Sequence, residues 1–294
     1  MMKILSMTYE EYIDYQYKYY SNMIFPYPKY DDKELIKSFD KLRRIDFDSN
    51  SYKNLSINYR IGDRLILHFH ESIYNSNYIN RISPFNAWRD KNILKQLIEN
   101  NVLYHNHLNK NKLLQGMNTF DICKRVNVFS ASRSKLIINK YLSDCNTIFD
   151  PFSGFSGRML GVLSLDKTYI GYDLSLTHVN ESNKMITFLK NVGYKINAII
   201  NQMDLFHSYG EYECLFTSLS FINEEQYPDV PIMKLSQDEL IDECLKRFKC
   251  RKYLFVVDNT TKYKDYIVET IVNKSYNSKP EYIIFFNTVA GKDE

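Results

Sequence analysis

The feature that most constrains the fold of this 294-residue chain is the stretch NTIFDPFSGFSGRMLGVLSLDKTYIGYD, which begins at residue 146. Its first apolar, β-prone run ends in Asp150, and a second such run ends in Asp173. Between them lies a turn with Gly154 and Gly157, where glycine permits positive φ and lets a ligand approach the backbone. This order predicts a strand, a tight turn, a helix and a second strand, with an acid at the end of each strand.

The lengths of these segments are typical of a unit that binds a nucleoside cofactor. We expect strands over residues 147–149 and 169–172, and a helix over residues 158–165. A glycine turn before a helix, with a strand-end acid about 20 residues further on, is the arrangement that binds such cofactors. An ordinary βα turn without a ligand is the alternative, but two acids at consecutive strand ends would contribute little to a core.

The glycine spacing argues against a dinucleotide cofactor. That fingerprint requires G-x-G-x-x-G, whereas Gly154, Gly157 and Gly161 are spaced more widely. An NAD-dependent oxidoreductase is therefore the weakest of the enzyme alternatives.

The stretch instead resembles the first motif of the S-adenosylmethionine-dependent amino-methyltransferases, which methylate exocyclic nitrogens of DNA bases. In that family the first strand ends in Asp-Pro-Phe or Asp-Pro-Cys before a glycine-rich turn, as residues 150–154 do here. The second strand ends in an acid after Gly-x, as Gly171-Tyr172-Asp173 does. The resemblance covers residues 119–294 and implies an α/β fold. We expect a Rossmann-like methyltransferase sheet there, preceded by a mainly helical N-terminal extension over residues 1–118.

The resemblance also implies S-adenosylmethionine as the cofactor and a set of residues that hold it. The turn and the segment before the first strand would hold its methionine end, and Asp173 would accept from the ribose hydroxyls. After a third strand over residues 196–200, Asp204 would accept from the adenine amino group, although it could equally cap a helix. Ser130 and Arg133 could likewise belong to a capped helix with a solvated basic turn. The candidate cofactor-binding residues are Asp150, Pro151, Phe152, Ser153, Gly154, Gly157, Asp173, Leu174, Asp204, Leu205, Ser130 and Arg133.

The catalytic motif of that family is expected at the end of a fourth strand, over residues 214–218. It reads Asp/Asn/Ser-Pro-Pro-Tyr/Phe/Trp, whereas this chain has Ser218-Leu219-Ser220-Phe221, without either proline. An exocyclic amine is a poor nucleophile because its lone pair is delocalised into the ring. The Ser218 hydroxyl and the Leu219 carbonyl can accept its hydrogen bonds, and Phe221 can stack on a flipped base. The missing prolines would have held these groups still by fixing φ.

This degenerate motif leaves two functions open. The first is a DNA amino-methyltransferase acting on N6 of adenine or N4 of cytosine, an activity used in restriction–modification. The second is a catalytically impaired pseudo-methyltransferase that serves as a nucleic-acid-binding or partner subunit. DNA is the expected partner and RNA remains an alternative. Monomer and homodimer are both open, and the N-terminal extension could serve recognition, closure over the cofactor or dimerisation.

The N-terminal extension is predicted from helix caps and periodicity. Asp31 or Asp32 begins a helix with apolar residues at helical spacing. An extended apolar run is expected over residues 64–70, and Ser83 begins a helix that runs to about residue 100.

The C-terminal part continues the sheet. A fifth strand is expected over residues 252–258, a helix over residues 263–273 and a last strand over residues 281–287. A methyltransferase sheet usually closes with two strands after the fifth, and this pattern supplies one. A basic surface beside the cofactor pocket is expected from Arg125, Arg133, Lys135 and Arg158 together with residues of the N-terminal extension.

Composition narrows the class of protein without naming a substrate. The chain is 44% hydrophobic and 25% charged, which suits a globular protein, and its net charge of +3 permits nucleic-acid binding without requiring it. The 5 cysteines occur singly and predict reduced thiols and a cytoplasmic location. Two H-x-H pairs, His68/His70 and His105/His107, lack further ligands at metal-binding spacing, so we expect no metal. No apolar stretch is long enough to predict a membrane span.

Overall fold

A computed structural model describes residues 7–55, 60–104, 108–123, 125–220, 224–271 and 280–288 of the chain. Its contacts divide the chain into two compact units. The first comprises Met1–Pro28, Glu71–Asn127 and Glu224–Pro228, and the second comprises Lys29–His70, Val128–Asn223 and Asp229–Glu294. This division differs from the single boundary at residue 118, because an amphipathic pattern shows that a helix buries one face but not against which element.

The helices begin at the caps that the sequence supplies. Asp31 and Ser236 each form a capping box, in which the cap side chain and the third helical residue satisfy each other's backbone N–H groups. In chain order the helices of the described residues are α1 Tyr9–Ser21, α2 Asp32–Arg44, α3 Ser49–Asn54, α4 Asp63–Phe69, α5 Ser72–Asn75, α6 Pro84–Arg89, α7 Lys91–Tyr104, α8 Lys110–Thr119, α9 Ala131–Tyr141, α10 Gly157–Leu163, α11 Leu176–Asn191 and α12 Gln237–Arg247. None of them is long and apolar enough to cross a membrane.

The first unit is helical, with α7 packed against α1, α6 and α8. A two-stranded antiparallel ribbon pairs Asn77–Tyr78 with Glu225–Gln226. Ser83 caps a helix as predicted, but the single helix expected to residue 100 is two helices. Asp90 breaks it because its backbone is extended and its carboxylate accepts the N–H groups of Asn92 and Ile93 at 2.9 and 3.0 Å.

The second unit is built on a seven-stranded sheet. In chain order its strands are β1 Thr147–Asp150, β2 Thr168–Asp173, β3 Ala198–Gln202, β4 Gly210–Ser218, β5 Phe248–Val257, β6 Ile267–Ile271 and β7 Glu281–Asn287. Across the sheet they lie in the order 3-2-1-4-5-7-6, and the first five are parallel. β7 runs antiparallel to both β5 and β6. The predicted α/β, Rossmann-like sheet is confirmed, and it closes with two strands after the fifth.

The predicted helix over residues 263–273 is wrong. A 3₁₀ turn, Lys264–Tyr266, is followed by β6. Within β6, Ile267, Glu269 and Ile271 alternate with the exposed Val268 and Thr270, which is the period of a strand at the edge of a sheet. Pairing with β7, which lies outside this segment, gives it the conformation of a strand.

The predicted extended run over residues 64–70 is also wrong, because it forms α4. Gly62 precedes this helix with a φ of +95°, and the side chains of Leu65 and Ile66 are buried. A short continuous apolar run fits a buried strand and a buried helix equally well. Its packing against α2 and α11 is a tertiary contact that the local sequence does not reveal.

Candidate functional site

The carboxyl ends of β1 and β4 lie at the point where the strand order reverses. The order runs 3-2-1 on one side of this point and 4-5 on the other. Open α/β sheets bind ligands in the crevice at such a switch point. Asp150 ends β1 and Ser218 ends β4, so the first residue of each predicted motif lies at this edge.

Asp150 is wholly buried and saturated by partners of its own unit. Arg158 donates from Nε to Oδ2 at 2.7 Å, Tyr169 donates its hydroxyl to Oδ2 at 2.8 Å, and Thr217 donates to Oδ1 at 2.7 Å. Phe152 adds its backbone N–H at 3.2 Å from Oδ1. A carboxylate has about four acceptor sites. Asp150 therefore joins β1, α10, β2 and β4 and has no capacity left for a ligand.

The charges in this cluster support one another. Burial alone would lower the pKa of Arg158, but the neighbouring Asp150 carboxylate outweighs it and the pKa lies above its ordinary value. Burial, together with the charge of Asp150, raises the pKa of Tyr169. Arg158 and Asp150 thus form a buried ion pair, and the neutral phenol of Tyr169 donates a hydrogen bond to its carboxylate.

Asp173, at the end of β2, is bound differently. Its Oδ2 accepts the backbone N–H of Gly154 at 2.7 Å, and its Oδ1 accepts that of Ser175 at 2.9 Å. His178 Nδ1 lies 3.3 Å from Oδ1, and the carboxyl side chain remains 12% exposed. Burial acts to raise the pKa of Asp173, but His178 and the two N–H donors outweigh it, so the pKa lies below its ordinary value. Asp173 is therefore an ionised acceptor with one site and a solvent-facing surface still available.

The turn between β1 and α10 is tied directly to the end of β2. Ser153 donates its N–H to the carbonyl of Tyr172 at 2.8 Å, and Gly154 adopts a φ of +55°. Gly157 must be glycine, because a Cβ there would lie 1.8 Å from the carbonyl oxygen of Phe129. The buried Ser153 hydroxyl has no hydrogen-bond partner within the part of the chain that the structure describes. The backbone of this turn thus lies against the end of β2, and the predicted approach of a ligand to it stays a prediction.

A buried polar chain that the sequence did not reveal holds the other side of the turn. Ser156, at a φ of +63°, places its hydroxyl 2.9 Å from His70 Nε2 and 2.6 Å from the hydroxyl of Ser182. His70 Nδ1 lies 3.1 Å from Glu181 Oε2. Burial lowers the pKa of His70, which favours a neutral imidazole. In the sequence, His70 stands out only as one member of an H-x-H pair. No sequence pattern connects it with Ser156, which lies 86 positions later.

His178 is a second buried residue beside the turn that the sequence did not point to. Its ring packs against Phe155 with centroids 4.6 Å apart. Burial acts to lower the pKa of His178, but the charges of Asp173, Glu181 and Asp229 outweigh it and the pKa lies above its ordinary value. The sequence feature that could have pointed to His178 is its position in the first turn of α11, shortly after the cap residue Ser175.

The catalytic motif is described only in part. Ser218 is half-buried at the end of β4, and Leu219 is buried and donates its N–H to the carbonyl of Val256 at 2.8 Å. The Ser220 hydroxyl is buried without a hydrogen-bond partner among the described residues. Phe221 lies outside the described residues. Thr217, which precedes Ser218, donates its hydroxyl to Asp150, so the end of β4 is hydrogen-bonded to the first motif.

Asp204 caps the 3₁₀ turn Leu205–His207. Its Oδ1 accepts the N–H of Phe206 at 2.9 Å, and its Oδ2 lies 3.2 Å from His207 Nδ1. The contacts of Asp204 are therefore those of a helix cap, which is the alternative to cofactor binding. The next residue, Leu205, is buried. Leu174 follows Asp173 and is half-buried, with its carbonyl accepting from Gln202 at 3.1 Å. A role for these residues in cofactor binding stays a prediction.

Three of the cations expected to form a basic surface are bound by partners within their own unit. Ser130 caps α9, and Arg133 pairs with Glu281 at 2.9 Å. Lys135 is buried and donates from Nζ to the carbonyls of Leu42, Arg43 and Ile45 at 2.9, 2.7 and 3.0 Å. Arg158 is the buried partner of Asp150, and Arg125 belongs to the other unit. Arg133, Lys135 and Arg158 are used internally, because helix C-termini and buried acids require donors.

His68 accepts the N–H of Tyr30 through Nδ1 at 3.1 Å. His105 and His107 lie outside the described residues. Within the described ranges no group of three or more His, Cys, Asp and Glu residues could hold a metal ion. All 5 cysteines have free thiols and are buried.

No protein-family model and no curated protein sequence matches this chain. Solved structures do match it. Magnesium protoporphyrin IX methyltransferase from Synechocystis PCC 6803, with bound S-adenosylmethionine, is 13% identical and covers 55% of this chain and 84% of that chain, with a TM-score of 0.40. The yhhF protein of Escherichia coli, provisionally assigned as a methyltransferase, is 13% identical and covers 53% and 87%, with a TM-score of 0.39. The 23S rRNA methyltransferase ErmE is 11% identical and covers 49% and 62%, with a TM-score of 0.34. At these identities and scores the similarities assign no residue and no substrate.

Proposed function

We propose that this chain is an S-adenosylmethionine-dependent methyltransferase that acts on an exocyclic amine of a DNA base, N6 of adenine or N4 of cytosine. The observation that carries the proposal is the hydrogen bond between the glycine turn and the Asp173 carboxylate. The N–H of Gly154 lies 2.7 Å from Oδ2 of that carboxylate, at the carboxyl edge of a sheet whose order reverses beside it. Nucleoside cofactors bind such edges, with a strand-end acid on the ribose.

The residues at this edge fit the cofactor. Asp173 keeps one acceptor site after its three internal partners, and a ribose hydroxyl is a donor of the right kind. The Ser153 hydroxyl, which has no hydrogen-bond partner among the described residues, lies in the turn that would face the methionine end. Asp150 would act indirectly in this proposal, by holding the turn through Arg158. When bound, the cofactor supplies an electrophilic methyl group.

The substrate amine would be held by the end of β4. The Ser218 hydroxyl and the Leu219 carbonyl would each accept one hydrogen bond from it, so that its nitrogen lone pair points at the methyl group. Phe221 would stack on the flipped base. Catalysis would rest mainly on this alignment, because an oriented pair of reactants avoids much of the entropic cost of meeting. Without the two prolines of the family motif, we expect slow but measurable transfer.

A binding subunit that has lost catalysis is the second candidate. One observation favours it: the motif Ser218-Leu219-Ser220-Phe221 lacks both prolines and keeps only the acceptors and the aromatic ring. Such a protein would retain the cofactor edge and bind nucleic acid or a partner without methylating it.

The test combines calorimetry with S-adenosylmethionine and tritiated methyl transfer to mixed-sequence DNA. We expect binding of the cofactor, slow transfer by the wild type and no transfer by Phe221→Ala, because base stacking contributes about 1–3 kcal/mol. Phe221→Tyr is the matched control, since it keeps the stacking ring, and it should retain transfer.

Each other outcome has a definite meaning. No cofactor binding at millimolar concentration overturns the proposal. Cofactor binding without transfer by the wild type favours the inactive binding subunit. Transfer to RNA but not to DNA moves the substrate to RNA.

A further inference from the structure

Helix α2 carries a line of basic side chains along one face. Lys33, Lys37, Lys41 and Arg44 are all exposed, whereas the opposite face buries Leu35, Phe39 and Leu42. Residues four apart lie one above another on a helix, about 6 Å apart along its axis. The four cations therefore form a stripe that extends for about 16 Å.

The charges of this basic stripe are largely uncompensated. Within the described part of the chain, Lys33, Lys37 and Lys41 take part in no ion pair. Arg44 lies 3.7 Å from Asp40, which also accepts a hydrogen bond from Tyr194 at 2.8 Å. A solvated helix surface commonly places carboxylates four residues from its lysines. The basic stripe instead presents four cations with one acid among them.

The stripe also lines a cavity. A recess of about 670 Å³ is bordered by these four side chains and Asp40, with Ile36, Ile45 and Ile61 as its apolar part. Aliphatic stems of lysine and arginine cover such surface while their charged ends remain in water. The four cations thus border the same open recess along the length of the helix.

Helix α2 is held rigidly at both ends. Asp31 and Glu34 form a capping box at its start. At its end, buried Lys135 satisfies three carbonyl oxygens, those of Leu42, Arg43 and Ile45. A rigid helix keeps the spacing of the stripe and lowers the ordering cost of binding.

We propose that the basic stripe of α2 binds the phosphate backbone of duplex DNA. The ligand must be a repeating anion, because four cations spread over about 16 Å cannot converge on one phosphate. Duplex DNA carries one phosphate per about 1.7 Å of axis, so about ten phosphates pass along this length. The inference deepens the proposed function and rests on it for the choice of DNA. It replaces the predicted surface of Arg133, Lys135 and Arg158, which the fold uses internally.

The experiment measures binding of the full chain to a fluorescently labelled duplex of mixed sequence by anisotropy, at several salt concentrations. The test variant is Lys33→Gln/Lys37→Gln/Lys41→Gln. The control is Lys246→Gln/Lys249→Gln/Lys264→Gln, which removes the same charge from exposed positions elsewhere in the same unit. Thermal unfolding of both variants checks that they remain folded.

We expect the wild-type association constant to fall steeply with salt. Each lost phosphate contact should reduce the slope of log K against log salt by about 0.9. The stripe variant should therefore lose about 2–3 units of slope and bind at least about tenfold more weakly at low salt, while the control stays within about twofold of the wild type. Lys33→Arg/Lys37→Arg/Lys41→Arg should retain the wild-type slope.

Equal losses in both neutralised variants, or a wild-type slope in the stripe variant, would overturn the inference. So would a stripe that affects binding of RNA alone. Calorimetry and methyl transfer on the same proteins separate this result from the proposed function. A chain that binds DNA through the stripe but transfers no methyl group keeps the inference and loses the enzyme. A chain that methylates DNA equally well without the stripe does the reverse.

Discussion

Asp150 and Asp173 end neighbouring parallel strands, yet their surroundings differ. Asp150 is fully buried and accepts from the side chains of Arg158, Tyr169 and Thr217. Asp173 is 12% exposed, and two of its three contacts are backbone N–H groups of the loops around it. The first acid joins elements of the fold, whereas the second holds a loop and still faces solvent.

This difference shows that acids at equivalent positions of a motif can have different roles, one in stabilising the fold and the other in offering an acceptor to a ligand. Both acids match the family pattern, and both would be assigned to the cofactor on that ground. The partners decide between them, because a carboxylate saturated by buried donors has nothing to offer a ligand, whereas a partly satisfied one does. Variants of the two acids should therefore fail in different assays.

The largest effect is expected from Asp150→Ala. It leaves the buried guanidinium of Arg158 unpaired, and removing one partner of a buried ion pair costs about 3–5 kcal/mol. Urea unfolding should show this loss in the free energy of unfolding. Asp14→Ala, which removes an acid from the exposed pair with Lys95, is the control and should cost at most about 1 kcal/mol. Equal effects in the two variants would mean that Asp150 is not structural.

Asp173→Ala should mainly affect the cofactor. Losing an acceptor for buried ribose hydroxyls should weaken S-adenosylmethionine binding by about 1–3 kcal/mol, measured by calorimetry. Asp14→Ala serves again as the matched control and should bind as the wild type does. If Asp173→Ala binds normally while folded, the comparison between the two acids fails, because neither would then serve the ligand.

Leu219→Pro tests a third strand end. The N–H of Leu219 donates to the carbonyl of Val256 at 2.8 Å, and proline has no N–H to replace it. We expect Leu219→Pro to be less stable than Leu219→Ala by about 1 kcal/mol or somewhat more in urea unfolding. The alanine variant accounts for lost packing and keeps the donor. Equal stability of the two would show that the family's proline could be restored here without cost.

The smallest effect is a pH dependence that separates two buried histidines. The pKa of His178 is raised, so its stabilising contribution is fully present below its unfolded value of about 6.5 and is lost as pH rises through the folded pKa. The pKa of His70 is lowered, so its contribution is lost as pH falls from about 6.5 through the folded pKa.

Urea unfolding between pH 5 and pH 8 can measure both contributions. Relative to His178→Gln, the wild type should lose stability toward alkaline pH. Relative to His70→Gln, it should lose stability toward acidic pH. The same sign for both variants would contradict the assignment of a charged imidazole beside Asp173 and a neutral one beside Ser156.

Several parts of the fold followed from local sequence. The unit from β1 to β2 was predicted because Gly154 and Gly157 punctuate two short apolar runs, and both glycines meet a backbone requirement in the structure. Asp31 or Asp32, and Ser83, are expected to begin helices, and Asp31 and Ser83 do so by accepting a nearby backbone N–H. The two helix caps depend on residues within about one helical turn of each other, which the sequence displays directly, whereas the close approach of Gly157 to Phe129 is a tertiary contact.

The conformation of two segments and the partners of two cations were determined by tertiary contacts. The apolar run at residues 64–70 became a helix because it packs against α2 and α11, and residues 267–271 became a strand because they pair with β7. Likewise, Arg158 and Lys135 looked like ligand-facing cations until the fold supplied a buried carboxylate and the end of a helix for them to satisfy. A charged residue has the same local sequence whether it is solvated or buried, and its role depends on the group that a long-range contact places beside it.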